Sequence, residues 1–71
     1  MQNYKPKRNL LKDKVILVTG AANGIGRAVS LSYAEHGATV ILLDKVISKL
    51  EQVYDQIEKN GWPKPAIYPM D

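Results

Sequence analysis

The sequence has no cysteine, a single histidine and no long hydrophobic run, and each absence excludes a class of protein. Without cysteine there is no disulfide framework and no thiolate metal cage, and His36 cannot by itself supply the ligand set of a structural zinc site. The longest apolar runs, 15–18 and 40–43, are far shorter than the roughly 20 residues that span a bilayer. The first residues contain no apolar stretch of the kind found in signal peptides. We therefore expect a cytoplasmic protein without a membrane segment.

The chain of 71 residues carries a formal net charge of +3, and its positive charge is concentrated at the start. Residues 1–14 hold five cations and one acid, whereas residues 15–71 hold one more acid than cations. We interpret residues 1–14 as a basic arm that leads into a domain beginning at residue 15. The arm contains one aromatic residue, Tyr4, and no recognition helix follows it, so nucleic-acid binding is the less favoured alternative.

Short β-branched runs alternate with segments of helical periodicity. The runs are typical of strands in a parallel sheet, and Gly37 and Gly61 are placed to end the two helices. Right-handed crossovers put both helices on the same face of such a sheet, so we expect an α/β fold with strand order 3-2-1. Pro69 fits this order, since proline is tolerated on an edge strand. The predicted strands are 15–18, 39–43 and 66–68, and the predicted helices are 24–36 and 46–59.

Three glycines stand between the first strand and the first helix, in the segment TGAANGIG at 19–26. Gly20 permits a tight exit from the strand, Gly24 lets the backbone approach a pyrophosphate, and Gly26 allows the helix to pack closely on the sheet. The free N–H groups and the positive dipole end of the helix then bind the anion. A nucleoside-triphosphate loop is excluded, because Ile25 and Gly26 occupy positions where that motif needs glycine and lysine. The segment predicts a dinucleotide site.

An acidic residue ends the second strand, which strengthens the prediction of a dinucleotide site. Asp44 lies 18 residues after Gly26, where a carboxylate accepts hydrogen bonds from the adenosine ribose and repels a 2′-phosphate. This favours NAD over NADP, although the adjacent Lys45 could neutralise such a phosphate, so NADP stays open. A second interpretation is that Asp44 serves only as the N-cap of the second helix.

The segments VILVTGAANGIGRA and GATVILLDK together resemble the short-chain dehydrogenase/reductase family in its TGxxxGxG form, over about residues 10–71. The chain is similar to the YciK-type oxidoreductases of that family in the segments YKP at 4–6, LLKD at 10–13 and ATVILL at 38–43. Those proteins have a Gly-Arg pair where this chain has Asp44 and Lys45. The resemblance implies the N-terminal β-α-β-α-β part of a Rossmann-like parallel sheet, incomplete because it stops before the fourth strand. It implies an adenosine-ribose contact at Asp44 and Lys45, an adenine contact at Asp71, and a pyrophosphate loop at Gly20, Ala22, Asn23, Gly24, Ile25 and Gly26.

The family transfers hydride between a nicotinamide and a carbonyl or alcohol carbon, using a Tyr-x-x-x-Lys pair with a serine and an asparagine. None of the four tyrosines here has lysine at that spacing, and we interpret them, with His36, as packing or surface residues. We therefore expect the cofactor-binding portion of an NAD(P)-dependent oxidoreductase, catalytically inert as it stands. The parent would act on a small molecule as a homo-oligomer. A non-catalytic nucleotide-binding module is the alternative.

The expected sheet is also incomplete as a packing unit. Helices on one face leave the other face of the strands bare, and the first strand has an unpaired edge. We expect the chain to self-associate or to exchange strands.

Overall fold

The structure, a computed structural model, describes residues 10–70. Asp71 and most of the predicted basic arm lie outside the described residues. Every predicted element is present with bounds that differ by at most one residue. The elements in chain order are β1 (Val15–Thr19), α1 (Gly24–Glu35), β2 (Thr39–Asp44), α2 (Ile47–Lys59) and β3 (Ala66–Pro69).

The three strands form one parallel sheet in the order β1-β2-β3, which is the predicted order read from the other edge. Val15 pairs with Thr39 and Leu42 pairs with Ile67, so the carboxyl ends of all three strands meet at one edge of the sheet. Pro69 lies on the edge strand as expected, opposite Asp44. The sheet therefore brings the glycine turn, the end of β2 and the end of β3 together.

Both helices cover one face of the sheet, and the core lies between the two layers. The α2 residues that pack inward recur at helical spacing, which is why this helix is amphipathic. A hydrogen bond of 2.8 Å from Arg27 Nη2 to Gln56 Oε1 joins α1 to α2. The core residues include Val18, Val40 and Leu42 from the strands, Ala34 from α1, and Leu50, Val53 and Ile57 from α2.

The opposite face of the sheet has no covering layer within residues 10–70. Val15 and Leu17 are each 62% exposed, and Tyr68 is 61% exposed. Val15 and Leu17 alternate along β1 with the half-buried Ile16 and the buried Val18, as the period of a β-strand requires, whereas Tyr68 is followed by the exposed Pro69. The apolar run of β1 is thus covered on one face only.

A turn at residues 10–14 fixes the start of β1. Leu11 N–H donates to the carbonyl of His36 at 2.8 Å, and Thr39 N–H donates to the carbonyl of Lys14 at 2.9 Å. Asp13 within this turn has a φ of 67°, in the left-handed region that side chains rarely adopt. The turn ties the entry of the sheet to the carboxyl end of α1.

Neither helix in the described part of the chain has the length and apolar character needed to cross a membrane. The cytoplasmic location stays a prediction.

Candidate functional site

The turn between β1 and α1 presents the start of the helix at the carboxyl edge of the sheet. Gly20 leaves β1 with a φ of 65°, as the prediction of a tight exit requires. Asn23 N–H donates to the carbonyl of Gly20 at 3.1 Å and closes the turn. Asn23 is also the N-cap of α1, yet its side chain makes no capping hydrogen bond. The first N–H groups of α1 are therefore left to bind an anion.

The two glycines in the first turn of α1 have different surroundings. A Cβ atom on Gly26 would lie 2.0 Å from the carbonyl oxygen of Gly20, whereas one on Gly24 would meet no atom within 4 Å. Gly26 is thus required by the packing of the helix against the turn. The space beside Gly24 is open, and the approach of the backbone to a pyrophosphate there stays a prediction. Ile25 between them is 84% exposed.

The side chain of Asp44 reaches back from the end of β2 to this turn. Its Oδ2 accepts a hydrogen bond from Ala22 N–H at 3.1 Å, and its Oδ1 accepts one from Lys45 N–H at 2.6 Å. The interpretation of Asp44 as the N-cap of α2 is wrong, because the N-cap is Val46 and α2 has no side-chain cap. The chain runs two residues beyond Asp44 before it turns into the helix.

The two hydrogen bonds also favour the ionised form of Asp44. The bonds from Lys45 N–H and then Ala22 N–H lower the pKa of Asp44 below its ordinary value, and they outweigh the effect of desolvation, which raises the pKa. The nearby Lys49 lowers the pKa further. Asp44 is therefore a fixed carboxylate at neutral pH.

A cleft of about 350 Å³, called here the turn cleft, lies at this edge of the sheet. It brings together four of the residues predicted from the sequence, whereas Asp71 lies outside the described residues. Met70 was not predicted, although its place after β3 puts it at the same edge, where its N–H donates to the carbonyl of Asp44 at 2.8 Å. The turn cleft is lined by Gly20, Asn23, Asp44, Lys45 and Met70.

A larger cleft, of about 420 Å³, lies at the opposite edge of the sheet, between Lys12, Glu35 and Trp62. The carboxyl ends of both helices point to it, and these ends carry partial negative charge. None of the residues predicted to bind a cofactor lines it. The turn cleft is therefore the better candidate for a phosphate-bearing ligand.

The family model for short chain dehydrogenase matches residues 14–71. The chain belongs to the short-chain dehydrogenase/reductase family. The uncharacterized oxidoreductase YciK of Escherichia coli K12 is 46% identical over 69 residues, which are 97% of this chain and 27% of that protein. The resemblance to the YciK-type members is thus confirmed, and the chain spans about a quarter of the relative's length.

Solved structures agree with this assignment. A short chain dehydrogenase from Pseudomonas syringae matches all of this chain and 29% of its own, with a TM-score of 0.88 and 48% identity. A short chain dehydrogenase from E. coli CFT073, complexed with NADPH, matches 93% of this chain and 28% of its own, with a TM-score of 0.86 and 47% identity. The likeness confirms the Rossmann-like sheet.

Proposed function

We propose that this chain binds the pyrophosphate and adenosine of NAD(H) or NADP(H) for an enzyme that transfers hydride between the nicotinamide and a carbonyl or alcohol carbon. The observation that carries the proposal is the meeting of two groups at one edge of the sheet. The uncapped amino end of α1 favours a phosphate, and the fixed carboxylate of Asp44 favours a ribose diol.

Each predicted residue then has a role in holding the cofactor. The backbone of the turn, with the open position at Gly24 and the exposed Ile25, faces the pyrophosphate side. Asp44 and Lys45 are the proposed partners of the adenosine ribose, and the family resemblance assigns the adenine contact to Asp71, which lies outside the described residues. The pyrophosphate loop comprises Gly20, Ala22, Asn23, Gly24, Ile25 and Gly26.

The chemistry of hydride transfer requires residues that this sequence does not contain. No tyrosine here is followed by lysine at the spacing that the family uses. The chain is therefore expected to bind the cofactor without turning over substrate. The small-molecule substrate of the parent, and its assembly as a homo-oligomer, belong to the same proposal.

For the choice of cofactor we propose a preference for NAD(H). Asp44 is ionised and held by two backbone N–H groups, so it cannot move away from a 2′-phosphate without losing both bonds. The repulsion of a dianion by a fixed carboxylate opposes NADP(H). Lys45, which is exposed on the same cleft, is the residue that would offset this repulsion. Because the similar E. coli structure is complexed with NADPH, the affinities of this chain for NADH and for NADPH must be compared directly.

Calorimetric titration of the chain with NADH and with NADPH tests the proposal. We expect both dinucleotides to bind, with NADH tighter by about tenfold, which corresponds to about 1.4 kcal/mol. A Lys45→Ala variant should weaken NADPH and leave NADH almost unchanged. Lys59→Ala, which removes the same charge from the far end of α2, is the control and should affect neither.

Two results would count against this account. If a folded chain binds neither dinucleotide, the cleft is not a cofactor site on its own. If NADPH binds as tightly as NADH and Lys45→Ala changes nothing, the ribose side of the cleft does not select the cofactor.

A further inference from the structure

The hydrogen bonds of the glycine turn follow an ordered pattern. Ala21 N–H donates to the carbonyl of Leu43 at 3.1 Å, and Ala22 N–H donates to Asp44 Oδ2 at the same distance. Two successive residues of the turn are thus bound to the last two residues of β2. The first of these bonds is the backbone contact that any sequence could make, whereas the second depends on the side chain of Asp44.

We propose that Asp44 is a positioning residue, which sets the shape of the turn at residues 20–26 before the cofactor binds. This inference rests on the proposed function, in which that turn holds the pyrophosphate. It differs from the contact with the ribose, because it acts through the Ala22 N–H and not through the ligand.

The glycine content of the turn explains why such a bond is needed. Glycine has the largest conformational freedom in the unfolded chain, and an ordered turn with three glycines loses that freedom on folding. A hydrogen bond to a carboxylate is roughly twice as strong as one between neutral groups. Ala21 is fully buried in the core. The next residue, Ala22, is held by its hydrogen bond to the Asp44 carboxylate.

The bond also determines which N–H groups remain for a ligand. Ala21 donates to Leu43, Ala22 to Asp44 and Asn23 to Gly20. The next N–H groups in sequence are those at the start of α1, which the helix itself leaves unbonded. Asp44 therefore directs the anion to the helix end by occupying the Ala22 amide, two residues before α1 begins.

Positioning the turn and binding the ribose are compatible roles. A carboxylate has about four acceptor sites, and the two backbone bonds use one on each oxygen. The remaining sites can accept the two ribose hydroxyls. Because one carboxylate then contacts both the turn and the adenosine, the two parts of the cofactor are recognised together.

Glycine-selective ¹⁵N labelling tests the proposal, since the five glycines give reporters inside and outside the turn. In Asp44→Ala we expect the amide signals of Gly20, Gly24 and Gly26 to move. Gly37 and Gly61 follow the carboxyl ends of α1 and α2, and their amide signals should not move. Asp44→Asn should restore the wild-type glycine signals in part, because its single amide oxygen can still accept from Ala22 N–H but then leaves Lys45 N–H without its acceptor.

Unchanged turn glycines in Asp44→Ala would overturn the proposal. Should that variant fail to fold, the wild-type chain provides an independent test. The proton signal of the Ala22 amide should follow the titration of a carboxylate in the acid range, and it should not do so in Asp44→Asn. An Ala22 signal that is constant with pH in the wild type also overturns the proposal. Lys45 and Lys49 are the charged groups near this carboxylate.

Inorganic pyrophosphate, which has no ribose, separates positioning from direct contact. Positioning predicts that Asp44→Ala binds pyrophosphate several-fold more weakly, as followed on the Gly24 and Gly26 signals. A carboxylate that acts only by its charge predicts the reverse, because its removal relieves repulsion of the anion; equal or tighter binding therefore overturns the proposal.

The outcome for the proposed function is read separately, from NADH added to the wild type. If NADH does not move the turn signals, the proposed function fails, while the effect of Asp44 on the free turn is still decided by the variants. If NADH moves them and Asp44→Ala leaves the turn unchanged, the proposed function stands and the positioning role fails.

Discussion

Gly24 and Gly26 lie two residues apart in the first turn of α1 and differ in their tolerance of a side chain. A Cβ atom on Gly24 would meet nothing within 4 Å, whereas one on Gly26 would lie 2.0 Å from the backbone oxygen of Gly20. One glycine is therefore required by folding, and the other faces open space.

The pair predicts opposite effects of the same substitution. Gly26→Ala should destabilise the chain by about 1–3 kcal/mol, because backbone must shift to admit the methyl group. Gly24→Ala should keep or slightly raise stability, since alanine favours a helix by about 1 kcal/mol over glycine, and should weaken NADH binding. Urea unfolding and calorimetry of both variants check this. Equal stability of the two variants would contradict the packing role of Gly26.

The ionisation of Asp44 predicts how stability depends on pH. Its pKa in the folded chain lies below the ordinary value of 3.8. A group with a lowered folded pKa contributes stability that is fully present above its unfolded pKa and is lost as the pH falls through the folded pKa. The stability advantage of the wild type over Asp44→Asn should therefore be constant above about pH 5 and should shrink below about pH 4.

Thermal unfolding at a series of pH values measures that advantage. Asp55→Asn, on the exposed side of α2, is the control for the loss of one negative charge. If the stability advantage of the wild type over Asp44→Asn grew toward low pH, the predicted pH dependence would be wrong, and the hydrogen bonds would not favour the ionised form of Asp44.

The backbone of Asp13 predicts a stabilising substitution. A left-handed conformation costs a side-chain-bearing residue roughly 1–2 kcal/mol, although aspartate tolerates it better than most. Glycine removes this cost but adds about 0.5–1 kcal/mol of unfolded-state entropy. We expect Asp13→Gly to be as stable as the wild type or up to about 1 kcal/mol more stable.

Two comparisons check the origin of this effect in urea unfolding. Lys12→Gly, at a neighbour without a positive φ, should lose about 0.5–1 kcal/mol. Asp13→Val should lose more than Lys12→Gly, since a β-branched residue tolerates the left-handed region poorly. If Asp13→Gly destabilises as much as Lys12→Gly, the turn does not hold Asp13 in this conformation.

The uncovered face of the sheet predicts self-association of the isolated chain. Leu17 and Tyr68 are each exposed by more than half. Leu17 pairs with the half-buried Ile41 and Tyr68 with the half-buried Leu43, and such contiguous apolar surfaces promote association. Sedimentation velocity should detect dimers or larger species, and Leu17→Lys should reduce them. Gln52→Lys, which adds the same charge on the exposed side of α2, should not. A monodisperse monomer at high concentration would contradict the prediction.

The order of elements was predictable because local patterns determine it. Val15 to Val18 and Thr39 to Leu43 are β-branched runs, and Leu50, Val53 and Ile57 recur at helical spacing. Glycines mark the ends of both helices. The requirement for glycine at position 26 was also predictable, because the third glycine of the TGxxxGxG pattern is the one that lets the helix pack closely on the sheet.

The bond between Ala22 and Asp44 was not predictable from the sequence. The two residues are 22 positions apart, and whether the carboxylate turns toward the glycine turn, the next helix or solvent depends on how β1 and β2 pair. The left-handed conformation of Asp13 was hidden for a related reason. The turn at 10–14 is shaped by its bonds to His36 and Thr39, and its own residues carry no glycine that would mark it.

Pro69 makes the two edges of the sheet unequal. Met70 N–H points inward to Asp44, and alternation along a strand directs the nitrogen of the preceding residue outward. That residue is proline, so the outer side of β3 lacks a donor at the position where a fourth strand would need one. β1 has no proline and keeps its donors. A further strand is therefore expected to pair with β1 and not with β3, whether it comes from the same polypeptide or from a second one.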